Sequence, residues 1–353
     1  MACCSFCSIV PPHILHHIAE SDDEVLRRRA REALALSERL RGERMLVGGT
    51  ISSVPSGTKR RAVYDAHNTT SLPGALVREE IGAPSEDPVV ERAFQGAGET
   101  FDFYQSVYGR TSIDDRGLRL DSTVHFGVRF DNAFWNGRQM VYGDGDGVIF
   151  RDFTSCLDVV GHELTHGVTE HEAGLVYYDQ PGALNESISD VFGVLVKQWS
   201  LGQDAQQADW LVGAGLLGPT IHGVALRSMK APGTAYDDPR LGRDPQPAHM
   251  RDFIVTSDDD GGVHINSGIP NHAFYVTAVE LGGRAWEKAG AIWYDALTRF
   301  LRPDSTFEMA AAAATAAAAA RFGRGSLEEQ AVRRGWAEVG VPAASTEASA
   351  VQT

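Results

Sequence analysis

The chain has 353 residues, of which 43% are hydrophobic and 22% are charged, a composition typical of a globular protein with a sizeable core. Its 32 lysines and arginines and 47 aspartates and glutamates give a formal net charge of −15. This acidic balance argues against nucleic acid or an anionic membrane surface as a partner, because both are bound through basic patches. No apolar run reaches the roughly 18 residues that a membrane-spanning helix needs.

The N-terminus carries three of the four cysteines, Cys3, Cys4 and Cys7, and the fourth is Cys156. Their spacing does not match a disulfide framework. The first residues also lack the basic segment and the long apolar core of a Sec signal peptide. We therefore expect reduced thiols, and either a cytoplasmic protein or export by a route that does not use a Sec signal.

The first 50 or so residues are expected to form a separate unit. Pro11 and Pro12 suit the first turn of a helix, and "ILHHIAESDDEVLRRRAREALALSERLRGERM" continues as one charged helix with apolar residues every three or four positions. The stretch "GGTISSVPSGTKRR" (48–61) then has the composition of a linker that is open to proteolysis.

The rest of the chain changes character near its middle. Residues 62–152 contain short apolar runs, such as "VHFGVRF", and turns, such as "GDGDG", which predict β-structure. From Cys156 onward helical periodicity dominates, and the alanine-rich stretch at 307–323 predicts a helix that ends at Gly323. The last residues, 342–353, predict a frayed tail. These patterns indicate an α+β fold.

The stretch "DVVGHELTHG" (158–167) predicts a metal site. A helix turns about 100° per residue, so His162 and His166 lie one turn apart on one face, with Glu163 beside them. Two imidazoles and a nearby carboxylate suit zinc, since the ion acts as a Lewis acid while the carboxylate handles the proton. By itself the pattern also fits a polar patch on a surface helix.

A second helix is predicted at "GALNESISDVFGVLV" (182–196), where Glu186 and Asp190 lie one turn apart in an otherwise apolar segment. Burying a carboxylate is costly unless it is paired or binds a metal. Glu186 is therefore the natural third ligand. Asp190 and Asn185 are candidate partners for the N–H groups of the two histidines, although Asp190 could also be an exposed helix charge.

"HELTH" followed by "NESISD", with "DNAFWNGRQMVYGDGDG" upstream and "DDDGGVHINSGIPNHAFY" downstream, resembles the thermolysin-like zinc metallopeptidases over about residues 62–341. The family has two domains, a β-rich N-terminal domain that carries the active-site helix and a mainly α-helical C-terminal domain, with a cleft between them. "CSIVPPHIL" resembles the short propeptide of the protealysin-like branch. The implied division is a propeptide at 1–50, domains at 51–177 and 178–341, and a disordered tail at 342–353.

The resemblance also implies the residues of the catalytic centre. Zinc would be held by His162, His166 and Glu186, the ligand set known from thermolysin. Glu163 would take a proton from the attacking water and pass it toward the leaving nitrogen. The developing oxyanion would be stabilised by His264 and Tyr177, and Asp259 would orient His264.

The substrate contacts follow from the same resemblance. Asn132 and Ala133 would bind the substrate main chain as an added strand, and Arg227 would contact a substrate carbonyl. The pocket that binds the substrate residue after the scissile bond (P1′) would be lined by Val159, Val212 and Leu226. This lining predicts a preference for a bulky apolar residue at P1′. These three side chains could equally be ordinary core.

One departure concerns calcium. The family typically has a double calcium site built from several acidic residues, of which Asp158 and Asp209 remain here. The other positions are Lys197, Leu211 and Ala214, so the double site is predicted to be lost or weakened. Lys197 could replace the ions by pairing with the two aspartates.

Together these features predict a zinc endopeptidase, expected to be a monomer, whose partners are peptide or protein substrates and its own propeptide. The propeptide segment would lie in the cleft through Cys7, Pro11, Pro12 and His13 and be cut off within 48–61. It could occlude the cleft, or bring Cys7 or His13 to the zinc, whereas an ordinary N-terminal helix is the alternative.

Two other functions are the alternatives to this one. A zinc aminopeptidase of the wider HExxH group needs an acidic anchor for the free amine of its substrate, commonly in a G-x-M-E-N stretch, and the sequence has none. A catalytically inactive binding protein would be indicated by loss of Glu163 or His264, and both residues are present.

Overall fold

The computed structural model describes residues 7–46 and 57–342. Cys3, Cys4, most of the predicted linker and nearly all of the predicted tail lie outside these residues. Within the described residues, no helix has the length and apolar character needed to cross a membrane.

A six-stranded mixed sheet organises the first half of the chain. Its strands lie in the order β1-β5-β6-β4-β2-β3, in which β2–β4 and β4–β6 are parallel and the other pairs are antiparallel. The strands are β1 (Cys7–Ser8), β2 (Arg61–Asp65), β3 (Ala75–Glu79), β4 (Leu120–Val124), β5 (Ala133–Trp135) and β6 (Met140–Tyr142). The N-terminal strand β1 therefore covers β5, which would otherwise form one edge of the sheet.

The N-terminal segment contains two helices, α1 (Pro12–Ile18) and α2 (Glu24–Leu46), where the sequence predicted one. Pro12 begins α1 as expected. The single-helix prediction was wrong because Oδ1 of Asp23 accepts hydrogen bonds from the N–H groups of Val25 and Leu26, at 2.8 and 3.2 Å. A capping aspartate satisfies the N–H groups of a helix start and so favours a new helix at that point.

The region predicted as β-structure also contains the long helix α3 (Pro88–Tyr108). Its start follows helix rules, since Asp87 caps the N–H of Val89 and Pro88 occupies the first turn. The stretch "VHFGVRF" was also misread, because the strand ends at Val124. The next residues turn the chain, with positive φ angles of 52° at His125 and 51° at Arg129.

Helices dominate the second half, as the sequence predicted, and the α+β fold class is confirmed. Two short antiparallel pairs interrupt them, β7 (Leu211–Val212) with β8 (Arg227–Ser228) and β9 (Asp237–Asp238) with β10 (Gly242–Arg243). The helices are α4 (Leu157–His171), α5 (Asp179–Leu201), α6 (Asp259–Asn266), α7 (Gly268–Leu281), α8 (Ala289–Asp295), α9 (Phe307–Phe322) and α10 (Leu327–Glu338). Gly323 ends α9, as expected.

Glycines let α4 and α5 approach closely. A Cβ atom added to Gly193 would lie 2.4 Å from the carbonyl oxygen of Asp158 and 2.9 Å from the nitrogen of His162. A Cβ added to Gly161 would lie 3.1 Å from the Cα of Gly193. Distances below about 3 Å are not tolerated in a packed core, so this crossing requires Gly193. The crossing brings the HELTH face of α4 against the acidic face of α5.

Candidate active site

Helix α4 presents its two histidines on one buried face. The Nε2 atoms of His162 and His166 lie 3.0 Å apart, and both side chains are almost completely excluded from solvent. This is the arrangement that the spacing of four residues predicts for a helix.

Glu186 of α5 faces the same point. Its Oε2 lies 3.5 Å from Nε2 of His162 and its Oε1 lies 3.4 Å from Nε2 of His166. The three ligand-type atoms all lie within 4.8 Å of one another. Among the described residues, His162, His166 and Glu186 form the cluster that could hold a metal ion. Neither Cys7 nor His13 belongs to this cluster.

The protonation of the histidines is set by their other nitrogens. Nδ1 of His162 lies 2.8 Å from Oδ1 of Asp190, and Nδ1 of His166 lies 2.8 Å from Oδ1 of Asn185. Because these acceptors take the Nδ1 protons, the Nε2 atoms carry lone pairs that point at each other and at Glu186. Two lone pairs and a carboxylate converging in a buried space need a cation between them, so the residues fit a bound metal.

Burial and neighbouring charges shift the pKa values of His166 and Asp190. Burial lowers the pKa of His166 to about 3, which favours the neutral ligand form. Burial acts to raise the pKa of Asp190, but Arg227 and His162 outweigh it and hold that pKa below its ordinary value. Asp190 is thus a buried anion. This excludes the alternative that it is an exposed charge on the helix surface.

Glu163 lies beside the metal group and is fully buried. Its Oε2 accepts a hydrogen bond of 2.9 Å from the N–H of Trp135 in β5. Burial raises the pKa of Glu163 well above its ordinary value and Glu186 adds to the effect, whereas the N–H groups of Trp135 and Ile9 lower it. A bound divalent cation would act in the same direction as these N–H groups, by favouring the carboxylate.

His264, Tyr177 and Asp259 lie together next to Glu186. The hydroxyl of Tyr177 is 3.3 Å from Nε2 of His264 and also donates to Glu186. Asp259 accepts from Nδ1 of His264 at 2.5 Å and from its backbone N–H at 2.9 Å. Burial acts to lower the pKa of His264, but the carboxylates of Glu186 and Asp259 raise it to about 9.

The backbone at the start of α6 makes these contacts with Asp259 possible. Four successive residues, 259–262, have positive φ angles between 51° and 84°. Glycine adopts this conformation at little cost, and Gly261 and Gly262 occupy two of the positions. The tight turn returns the Asp259 carboxylate to the histidine five residues later.

The predicted substrate-binding residues contact the N-terminal segment. The N–H of Val10 donates to Oδ1 of Asn132 at 3.0 Å, and the N–H of Ile9 donates to the carbonyl of Ala133 at 3.1 Å. Nη1 of Arg227 donates to the carbonyl of Ile9 at 3.0 Å. The three predicted pocket residues are fully buried in the same hydrophobic cluster as Ile9, and they are Val159, Val212 and Leu226.

The segment before α1 runs along this face as a strand. Cys7 pairs with Trp135 and Ser8 pairs with Phe134 in the antiparallel register, and the carbonyl of Ser8 lies 2.9 Å from Nε2 of His264. Cys7 is buried in a small cluster with Tyr177 and Val263.

The predicted prolines follow this strand, with Pro11 preceding α1 and Pro12 beginning it. Nε2 of His13 lies 2.9 Å from the hydroxyl of Tyr236.

Lys197 contacts the two aspartates that were predicted to remain from a calcium site. Its Nζ lies 2.9 Å from Oδ2 of Asp158 and 3.0 Å from Oδ1 of Asp209, and it donates to the carbonyl of Leu211 at 2.7 Å. The carbonyl of Ala214, the remaining position, accepts a hydrogen bond from the thiol of Cys156. The ammonium group therefore lies among the remaining acidic groups.

Several contacts were not predicted from the sequence. Ser189 lies 3.0 Å from Nδ1 of His166, and Asn271 donates to Oδ2 of Asp190 at 2.8 Å. Arg227 was assigned to the substrate alone, yet it also forms a two-point ion pair with Asp190. The position of Ser189 one helical turn after Asn185 was an available signal, whereas Asn271 lies in a distant segment with no such spacing.

Comparison with known proteins agrees with this geometry. Residues 54–170 match the thermolysin metallopeptidase catalytic domain, residues 173–341 match the thermolysin metallopeptidase alpha-helical domain, and residues 7–36 match the protealysin propeptide. An "Extracellular metalloprotease" of Pectobacterium carotovorum subsp. carotovorum is 50% identical over 95% of this chain and 96% of its own length. "Protease PrtS" of Photorhabdus sp. (strain Az29) is 48% identical over 85% of this chain and 83% of its own length.

A solved structure shows the same similarity in three dimensions. The "Precursor of Protealysin, Metalloproteinase from Serratia proteamaculans" has a TM-score of 0.87 and 50% sequence identity. The similarity covers 95% of this chain and 99% of that chain. The similar region therefore includes the N-terminal segment as well as both domains.

The expectation of a cytoplasmic protein was wrong. The relative from Pectobacterium, which is similar over almost its whole length, is named an extracellular metalloprotease, and this points to secretion. The prediction relied on the pattern of a single export route, and such a pattern does not show where a protein acts. The two matched thermolysin domains and the matched propeptide establish that this chain belongs to the thermolysin-like metalloendopeptidases and is a precursor with a propeptide of the protealysin type.

Proposed function

We propose that this chain is a zinc-dependent endopeptidase that cleaves peptide bonds before a bulky apolar residue. The observation that carries the proposal is the convergence of His162, His166 and Glu186 on one buried point, with the Glu163 carboxylate beside it. Zinc suits two imidazole nitrogens and one carboxylate, and when bound it supplies a Lewis acid next to the substrate carbonyl.

Glu163 is the proposed proton carrier. Its carboxylate takes a proton from the attacking water and delivers it to the nitrogen of the leaving amine. The hydrogen bond from the N–H of Trp135 fixes one oxygen of this carboxylate. A positioned base is the arrangement that general-base catalysis requires.

His264 and Tyr177 are the proposed donors to the oxyanion. Nδ1 of His264 lies 2.5 Å from a carboxylate oxygen of Asp259 and Nε2 lies 2.9 Å from a carbonyl oxygen, so Nε2 is placed to donate a proton. Asp259 orients the ring through Nδ1. The Tyr177 hydroxyl lies close enough to share the same acceptor, and two donors aimed at developing charge stabilise the transition state.

The substrate main chain is proposed to bind as an added strand on β5, held by Asn132, Ala133 and Arg227. The contacts of these residues with Ile9 and Val10 support this reading. Val159, Val212 and Leu226 are the proposed P1′ pocket, since a fully apolar wall favours a bulky apolar side chain. A cleft that accepts chain on both sides of the reacting carbonyl suits an endopeptidase better than an aminopeptidase.

The propeptide is proposed to inhibit by occupying this cleft, chiefly through Ile9 and Val10, until the linker at 48–61 is cut. We further propose that the protease acts outside the cell, supported by the extracellular relative from Pectobacterium. Lys197 is proposed to replace the double calcium site. Its contacts with Asp158 and Asp209 support this, because an ammonium group there opposes binding of a divalent cation.

The test uses internally quenched peptides that differ at one position, with Leu, Phe, Gly or Asp after the expected scissile bond. The mature enzyme should cleave the Leu and Phe peptides at least about tenfold faster than the Gly and Asp peptides, since burial of one large apolar side chain contributes about 1.5–3 kcal/mol. A zinc chelator should abolish cleavage and added zinc should restore it. Release of single N-terminal residues instead of internal cleavage would identify an aminopeptidase.

A further inference from the structure

The propeptide strand runs through the cleft in a single, well-defined register. The N–H of Ile9 donates to Ala133, the carbonyl of Ile9 accepts from Arg227, and the N–H of Val10 donates to Asn132. These are the main-chain groups and side chains that the proposed function assigns to substrate. The propeptide therefore uses the substrate contacts themselves and does not pass beside them.

One carbonyl of this strand lies at the proposed oxyanion position. Nε2 of His264 is 2.9 Å from the oxygen of Ser8, and the Tyr177 hydroxyl is 3.3 Å from that same Nε2. The nitrogen on the other side of the Ser8–Ile9 amide belongs to Ile9. Its N–H donates to the carbonyl of Ala133 at 3.1 Å, on the same strand whose Trp135 N–H donates to Glu163 at 2.9 Å. The carbonyl of this amide thus contacts a group that would act on a scissile bond, and its N–H pairs with the strand that holds the proposed base.

The side chain after this amide also matches the proposed preference. Ile9 is bulky and apolar, has no solvent exposure, and belongs to the same hydrophobic cluster as Val159, Val212 and Leu226. Ile9 therefore has the chemistry expected of a P1′ residue.

We propose that the Ser8–Ile9 bond of the precursor is itself a substrate and is hydrolysed by the active site of the same chain. Water adds to the carbonyl carbon of Ser8, and the C–N bond to Ile9 breaks. Glu163 moves the two protons of the water in turn to the Ile9 nitrogen, leaving a carboxylate on Ser8 and an ammonium group on Ile9. This inference rests on the proposed function and adds a processing site separate from the linker.

The cut would not by itself open the cleft. Beyond Ile9 the propeptide stays anchored through α1 and α2, whose buried side chains include Ile14, Leu15, Ile18, Leu26 and Ala30. Val10 also keeps its contact with Asn132. Residues 1–8 can leave, while residues 9–46 remain held until the linker is cut.

The experiment follows the zinc-loaded full-length precursor by intact mass and N-terminal sequencing. A species that begins at Ile9 should appear with a half-time unchanged by tenfold dilution, because the bond and the active site belong to one molecule. The Glu163→Gln precursor should show none. Ile9→Leu should be cut at this bond, whereas Ile9→Asp should lose the cut at least tenfold while added mature enzyme still cuts its linker.

A second measurement does not depend on the folding of these variants. The synthetic peptide CSFCSIVPPHI, residues 4–14, is incubated with mature enzyme and should be cut between Ser8 and Ile9. If the mature enzyme cleaves quenched peptides but leaves Ser8–Ile9 intact in both precursor and peptide, or if the half-time scales with dilution, the inference is wrong and the proposed function stands. If it cleaves no peptide at all, the proposed function fails with it.

Discussion

Asp190 and Arg227 form a buried two-point ion pair, in which Nε and Nη2 of the arginine each donate to one carboxylate oxygen at 2.8 Å. The same carboxylate oxygen that accepts from Nη2 also lies 2.8 Å from Nδ1 of His162. Nη1 of Arg227 remains for the main-chain carbonyl of Ile9. One carboxylate thus supports a proposed metal ligand and a proposed substrate contact at once.

Arg227→Lys should weaken both functions. Lysine keeps the charge but cannot make the planar two-point contact, so Asp190 would be less well neutralised and His162 less well oriented. We expect a rise in KM and a loss of zinc affinity of about tenfold or more, the range typical of groups that support metal ligands. Competition with a zinc chelator measures the affinity. The exposed Arg243→Lys is the control and should leave both values unchanged.

Lys197 should make the fold insensitive to calcium. Thermal midpoints in calcium and in EGTA should agree, with zinc bound in both. A large rise in Tm on adding calcium would show that the double site persists.

Lys197→Ala should destabilise the protein, because it leaves the Asp158 carboxylate buried without its cation. Breaking a buried pair from one side costs about 3–5 kcal/mol, or several degrees in Tm. The partly exposed Asp209 adds little to this. The exposed Lys230→Ala is the matched control. Equal Tm values for the two variants would contradict the proposed role of Lys197.

Gly193→Ala should damage the metal site from a distance. The added methyl group would clash with the Asp158 carbonyl and the His162 nitrogen, forcing α4 and α5 apart. Overpacking of this kind costs about 1–3 kcal/mol. We expect at least a tenfold loss of zinc affinity in addition to a lower Tm, since His162 and Glu186 lie on opposite sides of the crossing. Gly57→Ala, at a position with open space, should change neither.

His125 lies between two carboxylates, 2.9 Å from Asp144 and 2.9 Å from Asp87. The hydrogen bond to Asp144 raises the pKa of His125 from 6.5 to about 9 against the effect of burial, and the bond to Asp87 adds to it. Because the folded state binds this proton more tightly, the stabilisation is fully present below pH 6.5 and is lost as the pH rises through about 9.

The stability difference between wild type and His125→Gln should therefore shrink over that pH range. NMR titration of His125 provides the direct readout. Asp144→Asn should move its pKa back toward 6.5, and an unchanged titration would refute the assignment of cause.

The sequence predicted that His162 and His166 share one helix face because their spacing is local. A spacing of four residues is about one helical turn, so His162 lies next to His166 on one helix and Glu186 lies next to Asp190 on another. The order of the motifs then implied His264 and Arg227. The pairing of Arg227 with Asp190, by contrast, joins residues 37 positions apart and depends on how β8 packs on α5.

The errors have local causes too. Helix α3 was missed because its apolar residues were read as separate short runs, although Asp87 and Pro88 form a helix start. The N-terminal helix was read as continuous because apolar periodicity outweighed the Asp23 cap. Strand β1 consists of two residues and exists through its pairing with β5, so no periodicity could reveal it.

The most direct test of the account is the Glu163→Gln variant, freed of its propeptide by immobilised wild-type enzyme. The three proposed ligands remain, so elemental analysis should find one zinc per chain, as in wild type. The proposed base is lost, so kcat/KM on a quenched peptide should fall by about 10²–10⁴ or more. Glu170→Gln, an exposed position on the same helix, should keep wild-type activity. A zinc-loaded Glu163→Gln enzyme with near-normal turnover would contradict the account.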